Sequence, residues 1–216
     1  MSNVASPPSP PSPLRSKGRP RGFDRDEALT RALDVFWRRG YEPASVTELC
    51  TAMGINPPSL YAAFGNKAKL FLEAVDFYER TYWNATWADL EKATDVYRAI
   101  EAFFKAAAGI LLSPQAPCGC LVVLAAINVS SDSTEVFDAI KSLRQVSKRL
   151  FLQRLKQGIK DGQLPAKTDV KSLAATFSTM LEGMSIQARD GLSPAELVRV
   201  GSHAVRLLPP RLTHAA

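Results

Sequence analysis

Three glycines, Gly40, Gly54 and Gly65, cut the chain after Asp24 into segments that have room only for short single helices. Each segment carries its own start signal. In the first, Leu29, Ala32, Leu33 and Phe36 fall at i, i+3, i+4 and i+7, one face of a helix, with Arg31, Asp34 and Arg38 on the other. In the second, Ser45 and Glu48 have the Ser-x-x-Glu spacing of a capping box, and Val46, Leu49, Cys50 and Met53 form an apolar stripe. Gly54 stops that helix, since glycine tolerates the left-handed turn that follows. The third begins at Asn56. Pro57 and Pro58 fit its first two positions because the N–H groups there have no intrahelical partner, so Asn56 is expected to cap the N–H of Ser59. Leu60 and Phe64 point inward, and Asn66 caps a fourth helix from Lys67 to about Trp83.

Three short helices joined by tight turns describe a helix-turn-helix unit, the second and third being the motif and the first packing across both. In that geometry the N-terminal residues of the third helix lead into the DNA major groove. Pro57, Pro58, Ser59 and Ala62 are the side chains able to reach base edges. They are small or apolar, so readout would rest on few hydrogen bonds and on thymine methyl contacts. Tyr61 can place its hydroxyl on a phosphate. Lys67 adds an ammonium to the positive end of a helix, and Ser45 and Thr47 approach the backbone from the second helix.

The charge supports the same partner by its position more than by its sum. The net charge is only +6, but Lys17, Arg19 and Arg21 stand ahead of the first acid, Asp24. The run Lys17-Gly18-Arg19-Pro20-Arg21 resembles an AT-hook, an extended segment suited to a narrow, A·T-rich minor groove. Residues 1–22 therefore divide into a disordered Pro/Ser-rich tail and a basic arm. No run of about 18 apolar residues predicts a membrane span, and the N-terminus lacks the apolar core of a signal peptide, so a cytoplasmic protein is expected. The three cysteines, Cys50, Cys118 and Cys120, do not form a disulfide framework. Cys118 and Cys120 are strained partners for one bond, and packing is the preferred reading of both.

Here a family comes into view. The run from Gly40 to Leu49, then Met53-Gly54-Ile55-Asn56, then Ser59 to Lys67 with Leu70-Phe71, resembles the signature of the TetR (tetracycline-repressor-like) regulators over about residues 24 to 72. Cys118-Gly119-Cys120-Leu121 is similar to a Gly-Cys-Leu segment of some members. Ala44 and Ala62 depart from the hydroxyl and larger residues frequent at those places. The resemblance implies an all-α fold of about nine helices: a helix-turn-helix domain over 23–66, a connecting helix over 67–83, a ligand-binding and dimerisation domain over 84–210, and a tail over 211–216. It implies a homodimer on a double-stranded palindromic operator, released by a small-molecule effector. The alternative is an activator or a ligand-independent regulator.

Behind the first domain, helical patterns run from Val96 to Leu111, from Thr134 to about Lys160, from about Asp169 to Arg189, and from Pro194 to about Leu208. The resemblance places the last two in a four-helix dimer bundle, with Leu173, Phe177, Leu181, Leu197, Gly201, Ala204, Val205 and Leu208 as the contact set. Trp83, Trp87, Phe103, Phe104, Leu124, Asn128, Phe151, Phe177, Met180 and Met184 are candidates for a pocket holding a lipophilic or aromatic ligand. The same apolar residues could equally fill a core. The chain carries no phosphate-binding glycine loop and no metal-ligand cluster, and its two histidines, His203 and His214, are poor candidates for catalysis. No enzyme, metal or cofactor is expected.

Overall fold

The computed structural model describes residues 23–212, so the basic arm residues Lys17, Arg19 and Arg21 lie outside it. The described residues are helical without a strand. Helices α1 (Arg25–Arg39), α2 (Val46–Met53) and α3 (Pro57–Phe64) form the head. Each start follows from its cap. Asp24 accepts from the N–H groups of Asp26 and Glu27, Ser45 from Glu48, and Asn56 from Ser59. Leu29, Leu33, Phe36, Leu49 and Leu60 close a dry core, each at most 4% exposed.

The connecting helix is longer than its pattern suggests. α4 (Lys67–Tyr78) passes through a π turn (Glu79–Trp83) directly into α5 (Asn84–Lys92). Nothing between Trp83 and Lys92 can break a helix, since the segment has neither glycine nor proline. The π turn admits an extra residue, and here Tyr78 and Trp83 both stay buried, with the Trp83 indole donating to the Tyr78 hydroxyl at 2.7 Å. Counting this rod once, the described residues hold nine helices.

α6 (Val96–Leu111), α8 (Thr134–Lys160), α9 (Val170–Arg189) and α10 (Pro194–Ala204) build the body. Of the apolar stretch after Pro117 only Leu121–Leu124 (α7) is helical. The body's centre is aromatic. Phe103 and Phe104 from α6, Phe151 from α8 and Phe177 from α9 meet with ring centroids 4.9 to 5.8 Å apart, and Trp87 lies 4.3 Å from Phe103. Truncating any one to alanine is the kind of change that costs about 3–5 kcal/mol. Gly201 lets α10 lie on α6, because a Cβ there would stand 3.0 Å from that of Phe104. The last described residues are tied down as well. Arg211 pairs with Asp95, the cap of α6, and stacks 4.3 Å from the Tyr97 ring centroid.

Candidate nucleic-acid interface and effector cavity

On α3, Leu60 and Phe64 are buried, and Pro57, Pro58, Tyr61 and Ala62 face outward with Ser59 half-buried. Thr47 is exposed on α2, and Ser45 caps that helix through its Oγ, 3.1 Å from the Glu48 nitrogen. The other arm of the expected capping box is not made. The Glu48 carboxylate turns to Arg39 at 3.2 Å, tying α2 to the end of α1. Asn56 holds the N–H of Ser59 at 2.9 Å, which seats the two prolines in the first turn. Phe23 lines the open groove between α2 and α3 together with Ser59 and Ala62.

Lys67 has a partner within the protein. Its Nζ donates to the Glu42 carbonyl at 3.1 Å and lies 4.5 Å from the Tyr41 ring centroid, half-buried. Burial lowers its pKa, and the nearby Glu42 carboxylate partly offsets this. The ammonium braces the α1–α2 turn, so a phosphate role for Lys67 does not follow from its position. The exposed cation at this helix start is Lys69, whose N–H is capped by Asn66 and whose stem lies beside Gly65. Sequence reasoning passed over it because helix phase alone does not show which of two neighbouring lysines a turn will enclose.

Head and body are joined at the level of α7. The Tyr41 N–H donates to the Ala125 carbonyl at 2.7 Å, and the Trp37 indole to the Gly119 carbonyl at 3.0 Å. Glu42 accepts from the Ser130 N–H at 2.7 Å, which holds its carboxyl below the ordinary carboxylate range, and Arg189 donates to the Arg38 carbonyl.

A cavity of about 240 Å³ lies on the other side of α7. Trp83 and Trp87, two of the residues proposed from the sequence, line it with Glu79, Cys120, Val122, Val123, Arg144, Leu150 and Leu181. The remaining candidates lie elsewhere. Phe103, Phe104, Phe151 and Phe177 fill the core. Leu124 packs against Gly119, Asn128 is exposed, and Met180 and Met184 border a separate groove with Ile186, Leu192 and Val200. Aromatic rings pack on one another in preference to leaving space, so they marked the core. Much of the lining missed by the sequence reading comes from α8, where Leu143, Ser147 and Leu150 recur at i, i+4 and i+7.

The set expected to meet a second copy is largely internal too. Phe177, Leu197 and Ala204 are 0% exposed, Gly201 and Leu208 are buried against the same core, and Leu181 walls the cavity. Only Leu173 and Val205 remain half-buried at the edge.

Cys120 is buried, as packing requires, but Cys118 is exposed, and burial pushes the Cys120 thiol up to about 11. It is held neutral, with its N–H donating to Ser185 Oγ at 2.7 Å. Glu79 is the carboxylate of the cavity lining that burial shifts: burial first, then the charge of Asp76, raises it to about 7. A raised carboxyl favours the folded chain at low pH. Its contribution is complete below the ordinary value near 4.5 and is lost as pH rises through about 7. Glu79→Gln is therefore expected to flatten the melting profile between about pH 5 and 8 and to add on the order of 1–3 kcal/mol at the upper end. An unchanged profile would place that carboxylate in water.

A helix-turn-helix head with an outward recognition helix, set on an all-helical body, defines a DNA-binding transcriptional regulator. Residues 28–74 match the family described as bacterial regulatory proteins, tetR family, and residues 97–203 match the tetracyclin repressor-like C-terminal domain. The chain belongs to the TetR family. It is 35% identical to the HTH-type transcriptional repressor ComR of Escherichia coli (strain K12) over 90% of this chain and 93% of that one. The E. coli repressor BdcR is 46% identical over 31% of this chain and 34% of its own. Among solved structures, a cysteine mutant of the TetR family regulator CifR, complexed with 26-bp double-strand operator DNA, superposes with a TM-score of 0.85 at 44% identity. That match covers 88% of this chain and all of CifR.

Proposed function

We propose that the protein is a homodimeric cytoplasmic repressor that leaves a palindromic operator when a small lipophilic or aromatic molecule fills the cavity beside Trp83 and Trp87. The observation that carries this reading is α7's double duty. Cys120, Val122 and Val123 wall the cavity, and the same segment, through the Gly119 and Ala125 carbonyls, holds Trp37 and Tyr41 of the head. A ligand pressing on α7 would tilt the head and spoil the spacing of two recognition helices, which a dimer must hold about one DNA turn, roughly 34 Å, apart. Pro57, Pro58, Ser59 and Ala62 read base edges, and Thr47, Tyr61 and Lys69 meet phosphates. The arm with Lys17, Arg19 and Arg21, outside the described residues, has the composition of a minor-groove binder. The repressor sense follows ComR and BdcR, both described as repressors.

The surface for a second copy is the outer side of α9 and α10, where Ile186 of α9 and Val200 of α10 are exposed along one groove. Ile186→Glu with Val200→Glu is expected to give a folded monomer in analytical ultracentrifugation and to weaken operator binding at least roughly 100-fold, since two half-sites no longer act together. A dimer that survives both changes would move the interface elsewhere. The effector role itself is tested by fluorescence anisotropy of an operator complex titrated with lipophilic compounds. Release without loss of fold supports it, and a complex indifferent to compounds shown to bind the cavity refutes it.

A further inference from the structure

Arg154, on α8, is 3% exposed, and Nε and both terminal nitrogens of its guanidinium have no hydrogen-bond partner. Arginine keeps its charge in proteins, so a full cation is shielded from bulk solvent without a partner from the protein. Buried charges are ordinarily paired. The carboxylates whose charge reaches Arg154, Asp161 and Asp95, are engaged elsewhere: Asp95 accepts from Arg211, Tyr97 and Arg98, and Asp161 from Gln157. Beside Arg154 opens a second cavity, of about 280 Å³, between α5 and α8. Trp87, Leu90 and Leu150 give it an apolar wall, and Gln153 and Gln157 line it with amides. Glu91 also lines it but is exposed, and makes no hydrogen bond to Arg154. Trp87 and Leu150 are shared with the cavity beside α7.

We infer that this second cavity is an anion subsite, in which Arg154 receives the carboxylate or phosphate of an organic anion whose apolar body lies on Trp87 and Leu90. A planar guanidinium presents parallel N–H donors that match two oxygens of such a group. An anion supplies the charge and acceptors that the fold leaves out, and the apolar wall selects an amphipathic molecule over a free inorganic ion. The inference names the effector's chemical class under the reading above, although binding itself does not depend on that reading.

The test is isothermal titration of the full chain with 1-naphthoate, octanoate and phenyl phosphate, with 1-naphthamide and octanamide as neutral counterparts and inorganic phosphate as the ion alone. At least one organic anion is expected to bind roughly tenfold or more above its neutral counterpart and above phosphate. Arg154→Met should weaken it roughly 10- to 100-fold, the range for a hydrogen bond to a charged group, and leave the amides unchanged. Methionine fills similar volume without charge, so the fold should hold. Gln153→Glu, which sets a rival carboxylate in the cavity without touching the core, should also weaken anions and gives an answer if Arg154→Met does not fold. No anion preferred over its amide, or equal anion binding in the variants, would overturn the subsite. An anion that binds through Arg154 yet leaves the operator complex intact would keep the site and refute its link to the effector, while the cavity beside α7 keeps its own test. Release that persists in both variants would refute the site and keep the effector reading.

Discussion

Gly119→Ala is expected to be the most damaging single methyl in the chain. Gly119 has φ +86°, a conformation that side chains other than glycine adopt at a cost. A Cβ there would run into the Leu124 side chain and come within 2.9 Å of the Ser185 carbonyl oxygen, which belongs to the backbone and cannot swing aside. Backbone strain and overpacking together amount to roughly 3–5 kcal/mol. For a chain of this size that is a fall in Tm of about 10–15 °C. The damage would spread, because the Gly119 N–H donates to the Leu111 carbonyl at 2.9 Å and its own carbonyl accepts from Trp37. Operator affinity should fall with stability. Gly109→Ala is the matched control. A Cβ at Gly109, inside α6, meets nothing within 4 Å, so the change should stabilise by about 0.5–1 kcal/mol. Equal melting temperatures for the two variants would mean that the α7 turn is not packed as described.

The second large effect is on DNA alone. Ala62 is exposed on α3 one residue past Tyr61, and nothing in the head leans on it. Ala62→Glu would carry a carboxylate into a groove walled by phosphates while leaving the helix and the core beneath it intact. The expected result is loss of operator binding by more than roughly 100-fold with an unchanged melting temperature. Anisotropy with labelled operator and a thermal melt read the two quantities separately. Retained affinity would remove α3 from the major groove.

How much of this could be read without coordinates differs by element. The head was legible because each helix start is a local event. Asn56 caps Ser59 and Asn66 caps Lys69 as their positions require, and Gly54 takes the left-handed conformation that a helix stop there needs. The body's helices were legible from their apolar stripes. What those stripes face was not. Periodicity groups Phe177 with Met180 and Met184, and Leu197 with Gly201 and Ala204, but it does not say whether α6 or a second copy lies opposite. Here α6 takes Gly201, and Phe177 joins the aromatic core. The cavity was harder still, since its wall draws a few residues from each of the π turn, α5, α7, α8 and α9. A π turn has no sequence signal comparable to a cap, and so the join of α4 to α5 was invisible. Lys67 was assigned to a phosphate by its place at a helix start, whereas the fold encloses it between Glu42 and Tyr41.

The most direct measurement is an electrophoretic mobility shift of the full chain with the promoter region beside its own gene, at fixed salt and with competitor DNA, followed by footprinting of the shifted band. A discrete, competitor-resistant complex protecting a palindrome is the expected result, and Ala62→Glu should abolish it. A smear that salt and competitor disperse, equal for wild type and Ala62→Glu at every promoter tested, would contradict sequence-specific recognition by α3.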